Sequence, residues 1–122
     1  MASFTDSAKD AALQYVVDNA EVFHLCSSEP ANYAAIAGVT LANKTSPSIG
    51  SPTAGDVSGR KVVVAAISTG GNVTGTGTAT HYAIADVTGT ELLVTGTISS
   101  QALTSGNTFT TSAFDIELPD PA

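Results

Sequence analysis

From Arg60 onward the chain alternates β-branched segments with short glycine-bearing turns, and this pattern limits the possible folds more than any other feature. Residues 61–68 read as an apolar, β-branched strand. Gly70-Gly71-Asn72 then supplies the positive-φ residues of a tight hairpin. A long strand follows over residues 73–86, with Gly75 and Gly77 marking a bend or bulge. Thr88-Gly89-Thr90 makes the next turn, residues 91–99 the next strand, Ser105-Gly106-Asn107 another turn, and residues 108–118 the closing strand. Alternation selects one inward set: Tyr82 and Ile84; Leu92, Val94 and Ile98; Phe114, Ile116 and Leu118. Successive hairpins predict an antiparallel meander.

The front of the chain differs. Within residues 6–19, Leu13, Val16 and Val17 recur at helical spacing, Thr5 or Asp6 can cap the segment, and Asp6 and Asp10 suit its positive N-terminal end. The apolar stripe predicts a helix packed on a sheet or on a neighbouring subunit. Residues 22–27 read as a short strand that Glu29-Pro30 ends. Residues 33–42 carry both signals, alanines for a helical turn and Val39-Thr40-Leu41 for a strand. Residues 44–59 hold two prolines and three glycines, which predicts a long loop acting as an extended arm. Pro119-Asp120-Pro121-Ala122 reads as a short extended tail. The expected fold is mainly β (α+β): an antiparallel β-sandwich or meander with one N-terminal helix and a long central loop, in a single domain over residues 1–122.

Composition narrows function. With no Trp, four Phe and three Tyr, the core must use small side chains, which favours tightly packed sheets over a roomy ligand cavity. Only Lys9, Lys44, Arg60 and Lys61 are basic and the net charge is −7, so phosphate neutralisation and anionic membrane surfaces are excluded as modes of binding. Charged residues are 12% of the chain, low enough to suit a subunit of an assembly. The single Cys26 forbids an internal disulfide, and residues 1–6 show neither a basic n-region nor an apolar h-region, so folding in a reducing cytoplasm is expected.

Reactive groups are few. His24 and Cys26 share a strand face and His81 is the other histidine, but a zinc site needs about four ligands and no further candidate stands out. A Cys26–His nucleophile would need an oxyanion pocket that is not recognisable. Asp56, Asp86, Glu91, Asp115 and Glu117 are dispersed and read as solvated surface. Residues 70–77 lack the Lys-Ser/Thr ending and following helix of a phosphate loop. The expectation is a protein without catalytic residues, cofactor or metal.

Thr80 to Leu118 carries a resemblance. His81-Tyr82-Ala83-Ile84-Ala85-Asp86, Gly89, Glu91-Leu92-Leu93-Val94-Thr95-Gly96-Thr97-Ile98, Ser105-Gly106-Asn107-Thr108-Phe109 and Asp115-Ile116-Glu117-Leu118 resemble a broad group of small structural proteins of tailed bacteriophages, of head-decoration or tail-fibre type. The N-terminal helix and short strand resemble the front half of that group, while the arm over residues 44–59 lies outside the likeness. The resemblance implies a virion protein made in the host cytoplasm. Its expected place is the head exterior, as a decoration or cement protein contacting the major capsid protein and copies of itself, in a trimer or another homo-oligomer, with no nucleic acid or membrane partner. A tail, fibre or baseplate accessory is the alternative, and a host-glycan module a further one. The candidate interface comprises Leu13, Val16 and Val17 on the helix, Ser46, Pro47, Ile49, Pro52 and Asp56 on the arm, and Pro119 and Pro121 in the tail.

Overall fold

Thr5 starts the first helix: its hydroxyl accepts a hydrogen bond from the Ala8 N–H at 3.3 Å, satisfying one of the donors a helix start leaves open. This is a computed structural model, and it describes residues 5–56 and 58–118. The helix, α1, runs Asp6–Asn19 and is followed by strand β1, Val22–Cys26. The doubly signalled stretch becomes both elements in turn: α2 over Tyr33–Val39, capped by the Asn32 side chain at 2.9 Å, and β2 over Thr40–Thr45. Then come β3 (Thr53–Ala54), β4 (Arg60–Val64), β5 (Asn72–Val73), β6 (Gly77–Asp86), β7 (Glu91–Leu103) and β8 (Phe114–Leu118).

All pairings are antiparallel and form two sheets, one of five strands in the order β5-β2-β1-β6-β7 and one of three in the order β3-β4-β8. The fold is mainly β with two helices, the sandwich form of the expectation. Register explains the core. Phe23 stands opposite Ile84, and Leu25 opposite both Tyr82 and Ala42, so these five share the inner face of the large sheet. Val62 pairs with Ile116, and Val62 and Val64 face them from the small sheet without exposed area. Phe23, Tyr82, Phe109 and Phe114 interlock between the sheets, with Tyr82 and Phe114 at 4.6 Å between ring centres. Leu13 closes one end, and α1 is tied to β4 by the Arg60–Asp10 ion pair at 2.7 Å.

Four expectations change. The strands after Arg60 are not one meander: β4 and β8 form the small sheet while β6 and β7 join the large one. Gly70-Gly71-Asn72 therefore links two sheets instead of closing a hairpin. Gly70 has φ +81°, and a side chain at Gly71 would come within 2.9 Å of the Phe109 ring, so the backbone passes close under that ring. The predicted strand 73–86 breaks between Val73 and Gly77, at the glycines expected to bend it. Residues 44–59 are no free arm: Ile49 bridges Val64, the Gly50 N–H donates to the Val63 carbonyl at 3.0 Å, and β3 pairs with β4. Proline and glycine density excluded a helix there but left open a strand two residues long.

The last change concerns the inward set. Between Ile84 and Ala85 the β7 register slips by one residue, so Leu93 and Val94 both pack on the core while Leu92 pairs with Ala85 on the opposite face. Leu118 is 37% exposed at the strand end. Tyr82, Ile84, Val94, Ile98, Phe114 and Ile116 keep the inward orientation read from alternation.

Candidate interaction surface

The residues expected to meet partners divide into three groups. Leu13 is 2% exposed and belongs to the chain's own core, and Val17 packs against that core. Val16 is half-buried. On the segment after β2, Ser46 takes φ 53° and its N–H donates to the Glu21 carbonyl at 2.7 Å. Pro47 and Pro52 are half-buried, and Ile49 packs against the core. Pro119 and Pro121 lie outside the described residues. Leu13 thus belongs to the chain's own core, Val17 and Ile49 pack against that core while half-buried, and Ser46 and Asp56 are exposed.

Asp56 stands in a cluster of charged side chains on the surface. Lys61 Nζ donates to Asp56 Oδ1 at 2.5 Å and to Asp115 Oδ2 at 3.2 Å, and Glu117 Oε1 accepts from the Asp56 N–H at 3.3 Å. Cross-strand pairing of Lys61 with Glu117 and Val63 with Asp115 sets these side chains on the outer face of the small sheet. The Lys61 ammonium holds the Asp56 carboxyl below its usual range, and the two carboxylates raise Lys61 in return. Three carboxylates around one ammonium leave the patch acidic. Sequence dispersion hid it, because the three acids come from two segments that meet only when β4 pairs with both β3 and β8.

The reactive residues sit apart from this patch. Cys26 faces His81 across β1 and β6, with His24 two positions along the same face. Cys26 has no exposed area, and burial pushes its thiol up to about 11. Burial lowers the His24 pKa; its Nδ1 meets the Thr40 hydroxyl at 3.0 Å, and that hydroxyl in turn donates to the Ala42 carbonyl. Thr40 thus joins the His24 ring to the backbone of β2. His81 Nδ1 lies 2.9 Å from the Thr80 hydroxyl. Ligand atoms of His24, Cys26 and His81 do not gather within 4.8 Å of one another.

A concavity of about 600 Å³ opens where β7 and the segment leading into β8 run along the same side of the sandwich. Phe23, Tyr82 and Phe114 floor it, and Thr97, Gln101 and Thr111 stand at its walls. Tyr82 pairs with Gly96, and a side chain at Gly96 would come within 2.4 Å of the tyrosine ring, so the ring lies flat over the glycine. A glycine inside an otherwise β-branched strand was the available signal for this close approach. Beside the cleft, β7 is an edge of the large sheet. Among the described residues, no helix is long and apolar enough to cross a membrane. Among known proteins, no family model, no curated protein and no solved structure matches the chain.

Proposed function

We propose that this chain is a non-enzymatic structural subunit of a phage particle, a decoration or cement protein that binds the major capsid protein on the head exterior. The observation that carries the reading is where the resembling residues fall. The stretch from His81 to Leu118 builds β6, its turn, β7 and β8, which together form the cleft and much of both sheets. The likeness therefore falls on turn and core positions of strands that belong to both sheets. The chemistry of the surface agrees with work by contact: the thiol is enclosed, the histidines are engaged with threonine hydroxyls, and the exposed charge cluster is acidic.

The physical role follows from linkage. A subunit that binds only the assembled shell stabilises it by about 2.7 kcal/mol per site when present at 100 times its Kd. The segment after β2, stapled to β4, offers Ser46, Pro47, Pro52 and Asp56 as a preorganised rim, which lowers the ordering cost of contact. The test is to add purified protein to shells that lack it. Saturable binding at a fixed copy number per capsomer, with a raised shell melting temperature, is expected. Binding only to tails, or none to shells, overturns the head assignment.

A further inference from the structure

We infer that β7 is a self-association edge, through which two copies of this chain pair strand to strand about a two-fold axis. The large sheet ends at β5, two residues long, on one side and at β7, thirteen residues long, on the other. The small sheet ends at the two-residue β3 and at β8, whose Asp115 and Glu117 belong to the acidic cluster. Sheet edges are ordinarily blocked by shortness, charge or proline. Three of these four edges carry such a block. From Leu92 to Leu103 β7 has no charged residue and no proline, and no described strand pairs with its outer side.

Charge chooses the occupant. Two copies at −7 each repel, and apposing β8 or the small sheet's outer face would bring carboxylates together. The β7 edge is where a second copy approaches without that cost. Two register slips, at Leu93 and between Gln101 and Thr97, leave Val94–Thr97 as the regular stretch. An axis through Gly96 pairs Thr95 of one copy with Thr97 of the other and sets Val94 opposite Ile98 twice on the core side. Leu93, Val94 and Ile98 are partly exposed apolar residues on the core side, so the pairing buries their remaining surface beside the cleft. The two Glu91 side chains then fall about 30 Å apart, well beyond the Debye length at physiological salt.

This inference sharpens the self-contact part of the proposed function, and its test needs no shell, so either can fail alone. Sedimentation velocity on the isolated chain from about 1 to about 200 µM should show a monomer–dimer equilibrium. Thr97→Lys, at an exposed position, should weaken it at least about tenfold even though it reduces the net repulsion, while Thr53→Lys on β3 makes the same charge change and leaves it unaltered. Far-UV circular dichroism checks that both variants are folded. Amides of residues 94–97 should gain hydrogen-exchange protection as concentration rises. A monomer across the range, or equal effects of the two lysines, overturns the inference.

Discussion

The two faces of the five-stranded sheet carry very different side chains. Toward the small sheet it presents Phe23, Leu25, Tyr82 and Ile84, which interlock with Val62, Val64, Phe109 and Ile116. On the opposite face stand His24, Cys26, Ala83, Ala85 and Thr95, small or polar groups; His24 lies beside α2, and the Glu29 Oε1 accepts from the Thr95 hydroxyl at 3.0 Å. Burial is complete at Leu25 and Ile84 on one face and at Cys26, Ala83 and Ala85 on the other. Equal burial does not mean equal energy: stabilisation follows the apolar area removed from water, and an alanine removes far less than a phenylalanine. The inner face holds the fold together, while the outer face is sealed at small cost and tuned by hydrogen bonds.

The contrast breaks first at Phe23. Phe23→Ala should destabilise by about 3–5 kcal/mol in denaturant titration, because it opens a cavity among three aromatic rings. A loss below about 1 kcal/mol would remove the basis for ranking the faces. Gly96→Ala comes next, at about 1–3 kcal/mol, since the new methyl displaces the Tyr82 ring.

The bulge supplies a finer comparison within one strand. Leu93→Ala should cost about 2 kcal/mol and Leu92→Ala less than about half of that, as measured by the same titration. The reverse order would place Leu92 on the core and remove the register slip.

The smallest effect belongs to the outer face and is read by pH. Burial lowers the His24 pKa, so the unfolded chain binds a proton more readily than the folded one. That contribution is fully present above the unfolded histidine value, about 6.5, and is lost as pH falls below it. Melting temperature should therefore decline between about pH 6.5 and 5, and His24→Gln should flatten this slope. Asp86 acts in a separate window. The Gly89 N–H donates to its Oδ1 at 3.0 Å and holds the carboxyl below its usual range, so this stability is present above about pH 4 and lost in stronger acid. An unchanged slope in the His24 variant would detach the pH response from the outer face.

How much could be read in advance depended on distance along the chain. The Thr5 cap, the end of α1 at Asn19, and the turns at residues 88–90 and 105–107 each rest on groups within about four residues of one another, and they appear where expected. The positive φ of the first turn, however, falls on Thr90 and not on Gly89. Of the interface candidates, Leu13 lies in the core and Val17 and Ile49 pack against it, contacts that the sequence does not reveal because an apolar residue looks the same whether its partner is in its own chain or in another.

The residues alone determine where this chain bends and which segments extend, because backbone sterics, caps and alternation act locally. They also determine its acidic, weakly charged composition. Tertiary structure decided which sheet each strand joined, where β7 slipped register, and that Asp56, Asp115 and Glu117 meet around Lys61. Those outcomes minimise exposed apolar area summed over segments tens of residues apart. A turn sequence such as Gly70-Gly71-Asn72 carries no information about that sum.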